Sequence, residues 1–437
     1  MTPRDSAALR RKVTMASAIG NFVEWFDSAA YAVMSATIAA LFFPDYDKTA
    51  ALLATWAIFA GGFVARPLGA AFFGRYGDRL GRNRMLALTI LTMSGATFLI
   101  GLLPTYASWG VAAPVLLFLL RCAQGFSTGG EYTGASAFIV EYAPAGRRAR
   151  FAAAVPVTVG LASVAGSGVG FLITSTVTAE ALQSWGWRVP FLLAAPLGAI
   201  GLYLRSKVED TPVFRSLEQH DEVEPAPLRE AVRRCGWQIA TLFGYSITNA
   251  VGYYLMSSYM IAYMSEELGY SKSQAQLTNV VSMLAYSVAC LFAASASDRY
   301  GRRPMLITAC AGFVLLPLPA FWLMGSGLAG AMVGTSLLAM LVSVIGTSNV
   351  PALVEMFPAK VRSSGSAIGY TAAYVLFGGT APFAATGLVS AVDSPVAPAF
   401  YMIAIAAVSL VVVLTSFKET RGLALDRGVD TPAAVRA

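Results

Sequence analysis

Glu24 and Asp27 stand in the stretch GNFVEWFDSAAY, Gly20 to Tyr31, which runs directly into the apolar AVMSATIAALFF. An ionised carboxylate near the centre of a membrane helix costs about 2.5 to 3.5 kcal/mol, whereas each Leu or Ile returns only about 0.5. Two carboxylates in one such helix therefore call for a water-filled cavity or a cationic partner. At about 100° per residue, Asn21, Glu24, Asp27, Ser28 and Tyr31 fall within roughly 120° of arc, a polar stripe on an otherwise apolar helix. A second stripe lies in LLRCAQGFSTGGEYTGAS, where Arg121, Gln124, Thr128 and Glu131 share roughly 80° of arc. Gly125, Gly129, Gly130 and Gly134 beside them let a neighbouring helix approach closely. Counted from the ends of their helices, Arg121 and Asp27 reach similar depths, so a carboxylate–arginine pair near mid-membrane is geometrically allowed. The chemistry on offer is proton carriage, because moving an arginine toward or away from a buried carboxylate shifts its protonation. The only histidine, His220, lies in a polar segment, so carboxylates must carry any proton. Arg66, about eight residues from the end of its own apolar stretch, is a secondary candidate, read as a snorkelling anchor ahead of a ligand contact.

The elements that hold these groups follow from composition. The 437-residue chain is 56% hydrophobic and 13% charged, with a mean hydropathy of +0.62; soluble domains carry about 25% charged residues. Apolar stretches of about 20 residues or more recur throughout, long enough to cross roughly 30 Å of hydrocarbon. They predict twelve spans at 16–41, 49–74, 84–103, 111–142, 151–178, 187–206, 236–263, 274–297, 304–324, 329–353, 364–391 and 396–417. Long continuous runs rich in Ala, Gly and Leu exclude the alternating strands of a barrel. The fold class is thus all-α and integral to the membrane. Most of the 31 Lys and Arg fall in the N-terminal tail, the loops after even-numbered spans and the C-terminal tail. The opposite loops hold Lys48, Arg188 and Lys272, which puts both termini in the cytoplasm. The net charge of +7 is this topological bias and calls for no nucleic-acid partner. Glu24 and Asp27 would spoil the apolar core of a signal peptide, so the first span is expected to stay. Cys122, Cys235, Cys290 and Cys310 lack metal-ligand spacing and read as small apolar residues.

An internal repeat organises the spans. GRYGDRLGRNR, from Gly74, follows the second span, and ASASDRYGRRP, from Ala294, follows the eighth, about half the chain later. Gly81 and Gly301 permit tight turns. Asp78 and Asp298 can accept from backbone N–H groups at a helix end or from a neighbouring arginine. With Gly74, Arg79, Arg82, Arg299 and Arg302, and with Glu141 and Glu355 near the cytoplasmic ends of even-numbered spans, they form a candidate cytoplasmic gate. The polar, Pro-containing stretch before Arg234 is a linker. The expected organisation is a tail (1–15), a six-helix bundle (16–206), a cytoplasmic linker (207–235), a second six-helix bundle (236–417) and a tail (418–437).

G-x-x-x-D-R-x-G-R at Gly74 to Arg82, its copy with Ala294 in place of the first Gly, and R-x-x-Q-G at Arg121 to Gly125 resemble the major facilitator superfamily. GNFVEWFD, ARPLGAAFFGRYGDRLGR, LLRCAQGFSTGGEYTGASAFIVEYAP, WGWRVPF and EMFPAKVRSSG extend that likeness over almost the whole chain to its metabolite:H+ symporter family, and QGFSTGGEYTGAS is most similar to the proline and glycine betaine carriers within it. The resemblance implies two pseudo-symmetric six-helix bundles whose first, fourth, seventh and tenth spans line a central cavity. It would make Glu24, Asp27, Arg121 and Glu131 the proton-coupling network, and would set Asn21, Tyr31, Gln124 and Thr128 among the substrate-binding residues. The seventh span, GYSITNAVGYYLMSSYMIAYM, is dense in tyrosine, and tyrosine faces bind quaternary ammonium groups. Tyr253 and Tyr254 are the cavity candidates, Asn249 or Ser257 could hold a carboxylate, and Tyr259 and Tyr263 read as interfacial belt residues. The implied activity is proton-driven import of a compatible solute such as proline or glycine betaine, by a monomer in the plasma membrane with no cofactor or metal. The alternative is proton symport of a small organic acid of the α-ketoglutarate, citrate or shikimate type, with Arg66 or Arg121 on the anion. The long C-terminal coiled coil of the enteric carrier has no counterpart in the 418–437 tail, so osmotic regulation through it is not expected. An enzyme would need a nucleophile, metal or cofactor constellation, and a channel a repeated pore segment; the sequence presents neither.

Overall fold

The computed structural model describes residues 20–80, 82–128, 131–144, 146–206, 227–358, 361–423 and 425. Among them are helices in all twelve expected stretches, and no strand. In chain order the main helices are α1 (Gly20–Val33), α2 (Ser35–Phe42), α3 (Lys48–Leu80), α4 (Arg82–Leu102), α5 (Ala112–Ser127), α6 (Glu131–Tyr142), α7 (Arg148–Ala152), α8 (Ala154–Thr176) and α9 (Ala194–Ser206). They continue as α10 (Pro227–Tyr254), α11 (Met260–Glu266), α12 (Lys272–Tyr300), α13 (Arg302–Leu315), α14 (Pro317–Met324), α15 (Leu328–Glu355), α16 (Arg362–Ala373), α17 (Ala381–Val392) and α18 (Ala397–Thr415). By length and composition, six described helical stretches can cross a membrane, or eight when each bent pair counts as one.

The breaks in these helices have physical causes. The 52° bend between α13 and α14 sits at Pro317, whose ring and missing N–H interrupt the ladder. The 58° bend between α1 and α2 frees the Val33 carbonyl, which accepts from Gln276 Nε2 at 3.4 Å. π-helical turns at Leu255–Tyr259 and Tyr374–Gly378 interrupt the helices that begin as α10 and α16. Such turns leave carbonyls without their usual partners, and Asn279 Nδ2 donates to the Met256 carbonyl at 2.7 Å. One boundary differs from expectation: α10 starts at Pro227, inside the stretch read as linker. Proline suits a first helical position, Glu230 pairs with Arg234 one turn on, and non-helical backbone at Cys235 marks where this amphipathic start joins the apolar run.

Helices α1–α9 pack largely among themselves, as do α10–α18, and the two groups meet along seams of α8 against α12 and α3 against α17. Within the first group, α3 and α5 lie almost backbone to backbone. A Cβ on Gly125 would sit 1.6 Å from the Gly62 carbonyl oxygen, and one on Gly69 would sit 1.7 Å from that of Phe126. This approach brings the Arg121 face of α5 against α3 and toward the carboxylates of α1.

Candidate functional site

The buried charges converge between α1, α3, α4 and α5. Glu24, Asp27, Ser28, Gly62, Phe63, Arg66, Arg121, Gln124, Gly125 and Thr128 line one narrow cavity, with room for little more than about one water. Asp27 is 5% exposed and both its oxygens are engaged. Gln124 Nε2 donates to Oδ2 at 2.7 Å, and Thr97 of α4 contacts Oδ1 through its hydroxyl. Gln124 Nε2 also donates to Thr97 Oγ1 at 2.7 Å, while Gln124 Oε1 accepts from Arg121 Nη1 at 2.8 Å. Arg121 therefore orients the amide, and the amide presents one N–H to Asp27 and the other to Thr97. The expected direct Arg121–Asp27 ion pair is corrected to a chain with Gln124 between the charges. Its physical basis is the i, i+3 spacing of Arg121 and Gln124 on α5 and the rings of Tyr31 and Phe59, whose centroids lie 4.4 and 4.8 Å from the guanidinium carbon.

Thr97 gives this cluster two complete hydrogen-bonding states. Its hydroxyl also lies 2.9 Å from the Met93 carbonyl, one turn back on α4. A hydroxyl carries one hydrogen. With Asp27 ionised, that hydrogen goes to the carboxylate; with Asp27 protonated, the carboxyl donates to Thr97, whose hydrogen turns to Met93. Neither state strands a buried donor or acceptor, which would cost about 1 to 3 kcal/mol.

Several other expected site residues lie elsewhere. Asn21 faces α8, donating to Thr158 Oγ1 at 2.8 Å and the Val155 carbonyl at 3.1 Å, and its Oδ1 accepts from Trp25 Nε1 at 3.1 Å. It positions the Trp25 ring and does not line the cavity. Tyr31 donates to the Thr55 carbonyl at 2.8 Å and offers Arg121 its face. Thr128 lines the cavity, its hydroxyl on the Gly125 carbonyl at 3.0 Å. Tyr253 and Tyr254 stand behind the cavity wall with Trp25, at ring separations of 4.8 and 5.9 Å, and Phe63 packs 5.1 Å from Tyr254. Asn249 donates to the Tyr374 hydroxyl at 2.9 Å, and Ser257 sits in the π turn 3.3 Å from Ser258. Tyr259 and Tyr263, read as belt residues, are both buried, Tyr263 donating to the Pro395 carbonyl at 2.8 Å. Position near a helix end could not reveal that the α14 and α17–α18 regions cover them. The side chain of Glu131 lies outside the described residues.

The second D-R-x-G-R turn builds a clasp between the two helix groups. Asp298 accepts from the Ala149 and Arg150 amides at 2.9 and 3.0 Å, where its charge meets the start of α7, and from Arg302 Nη1 at 3.1 Å. Glu355, fully buried, accepts from Arg302 Nε and Nη2 at 3.2 and 3.1 Å, Arg148 Nη1 at 3.2 Å and Thr420 Oγ1 at 2.7 Å. Arg362 pairs with Glu141 at 2.7 Å. Gly301 has φ of +105°, and any Cβ there would meet Glu419, which caps α13 through the Arg302 and Arg303 amides. Arg299 points away, over the Tyr300 ring. In the first copy, Gly74, Asp78 and Arg79 fall in the last turns of α3 and Arg82 opens α4; their side-chain surroundings, and Gly81 altogether, lie outside the described residues. At the opposite end the two helix groups are also joined, by Lys48 to Glu266 at 2.7 Å and Lys272 Nζ to Thr37 Oγ1 at 3.3 Å.

Sequence reasoning did not single out Thr97, Trp25, Arg148, Arg362 or Glu419. Trp25 and Arg362 stand inside motifs already notable, but Thr97 is one hydroxyl in an apolar run, and helix-end arginines carry no mark of which carboxylate they will meet.

Comparison with known proteins places this geometry. A family model described as "Sugar (and other) transporter" matches residues 13–226, and one described as "Major Facilitator Superfamily" matches residues 241–431. The proton:xylose symporter XylE superposes with a TM-score of 0.77 at 17% identity, covering 96% of this chain and 98% of that one. A partially occluded inward-open XylE from E. coli gives 0.75 at 16% identity, covering 95% and 100%; at these identities the likeness is one of fold. The family matches, with the transporters named next, define a multi-pass membrane transporter, not an enzyme. The proline/betaine transporter of Salmonella typhimurium is 38% identical over 98% of this chain and 87% of its own length. The glycine betaine/proline/ectoine/pipecolic acid transporter OusA of Dickeya dadantii is 37% identical over the same shares, and the ectoine/proline transporter ProP of Corynebacterium glutamicum 37% over 92% and 83%. The chain belongs to the major facilitator superfamily.

Proposed function

We propose that the protein is a proton-coupled importer of a small zwitterionic compatible solute, proline or glycine betaine, working by alternating access between the two helix groups. All twelve helical stretches cross the plasma membrane, with both termini and the Asp298–Glu355 clasp at the cytoplasmic face, and one chain suffices, without a cofactor or metal. The observation that carries this reading is Asp27: a buried carboxylate with a complete hydrogen-bond set in either protonation state, in a cavity whose Phe63 packs against the aromatic cluster of Tyr254, Trp25 and Tyr253. Asp27 takes a proton when the outer side opens and releases it when the inner side opens, as the Gln124 link to Arg121 is remade. Glu24 and Thr128 complete the polar wall, Glu131 belongs with them to the proton-coupling network, and Asn21 and Tyr31 hold Trp25 and Arg121 in place. Asn249 and Ser257 serve on the second group's side once the seam opens. The names of the relatives quoted above support the choice of solute.

With one proton entering beside a zwitterion, one net charge crosses, and each 100 mV contributes about 2.3 kcal/mol, roughly fifty-fold accumulation. In proteoliposomes with an imposed inward proton gradient, labelled proline and glycine betaine are expected to accumulate, while α-ketoglutarate and citrate are not. Accumulation of the acids alone would replace the substrate class.

A further inference from the structure

The two arginines of the cavity are held differently. Each has a buried Nε without a hydrogen-bond partner, but Arg121 is otherwise committed: two rings cover it, and its Nη1 is spent on Gln124. Arg66 also lines the cavity, with its guanidinium 4.2 Å from the centre of the one ring it rests on, Phe63. A buried guanidinium N–H without an acceptor is costly to keep and calls for an acceptor in another state of the protein. The ring on which Arg66 rests is the one that packs at 5.1 Å against Tyr254, which in turn faces Trp25. A planar donor fork and an aromatic surface thus share one wall, a few ångströms apart. A fork suits a carboxylate, through short charge-assisted bonds; aromatic faces suit an ammonium within about 6 Å of their centres.

Resting on the zwitterion reading above, we propose that Arg66 binds the solute's carboxylate and is the residue that selects betaines over the corresponding alcohols, with Trp25 and Tyr254 taking the ammonium end. The division of labour is spatial. Asp27, Thr97, Gln124 and Arg121 hold the proton, and Arg66, Phe63, Trp25 and Tyr254 hold the solute. In the closed state the rings fill the space between Phe63 and Tyr253, so a solute enters only when the two helix groups part.

Uptake kinetics of glycine betaine, with choline as the probe that keeps the trimethylammonium and lacks the carboxylate, test this in proteoliposomes. Arg66→Gln is expected to raise the KM for glycine betaine by about ten-fold or more, leave kcat within about two-fold, and erase the discrimination against choline. A KM within two-fold of wild type, or a fall in kcat with KM unchanged, would overturn the assignment and return Arg66 to a structural anchor. If Arg66→Gln fails to fold, Arg66→Lys carries the test: it keeps the charge but loses the fork. It is expected to raise the KM about three-fold or more, and an unchanged KM overturns the proposal equally. Should wild-type protein accumulate neither proline nor glycine betaine, it is the zwitterion reading that fails, and the two failures are told apart by the wild-type arm alone.

Discussion

Asp27→Asn is expected to abolish uphill accumulation while leaving solute exchange across the membrane intact. Asparagine is nearly the same shape, and its oxygen can still accept from Gln124 while its amide donates to Thr97, so the cluster persists in the form it has when Asp27 is protonated. What is lost is the second state: the side chain can neither release a proton inside nor take one outside. With one proton per cycle, as proposed, wild type is expected to reach roughly fifty-fold accumulation per 100 mV; the variant should equilibrate its substrate and stop. Exchange of internal unlabelled for external labelled solute needs no net proton movement and should continue at a rate indifferent to pH. Accumulation by Asp27→Asn at anything near the wild-type level would place the proton elsewhere, and Glu24→Gln, run in parallel, would then show whether the neighbouring carboxylate carries it.

Glu355→Gln should have the largest effect on conformation. Its carboxylate receives bonds from Arg302, Arg148 and Thr420 in a place closed to water, and it ties α15 to α7 of the other helix group. Removing one partner of a buried charge pair costs about 3 to 5 kcal/mol, chiefly because the remaining charges are left uncompensated. That cost applies only while the clasp is closed. The equilibrium should therefore move toward the inner-open state by at least a hundred-fold, with uptake reduced accordingly. Pulsed EPR between nitroxides on the exposed Arg147 and Arg299, one on each side of the clasp, should show a longer distance in Glu355→Gln than in wild type. Identical distributions with normal uptake would mean that the clasp does not govern closure.

Asp27 and Glu355 were legible in the sequence to different degrees, and the difference is physical. A carboxylate inside a hydrocarbon-length run is so costly that its mere presence signals a cavity, and helical periodicity then fixes which residues share its face; Asp27, Arg121 and Gln124 were found in this way. Periodicity gives angle but not partner. It could not show that Gln124 would stand between Asp27 and Arg121, because a three-residue spacing allows the arginine to bond along its own helix as readily as across to another. Thr97 was invisible, since one hydroxyl costs a membrane helix little and satisfies itself on its own carbonyl. At the helix ends the positive-inside bias explains every arginine equally well, so the sequence could mark Asp298 and Glu355 but not Arg148 or Arg362 as their partners. The repeat did indicate the chemistry of the turn: Asp298 accepts from the amides at a helix start and from an arginine, the two options its type allowed.

The central claim is that solute and proton move together through this cavity, and it is tested most directly by watching both at once. Proteoliposomes at equal internal and external pH are clamped negative inside with a potassium gradient and valinomycin, and a pH dye reports on the outer solution as glycine betaine or proline is added. The account predicts alkalinisation outside that keeps pace with uptake, driven by voltage alone and absent in Asp27→Asn. Uptake that proceeds with no proton movement would contradict it.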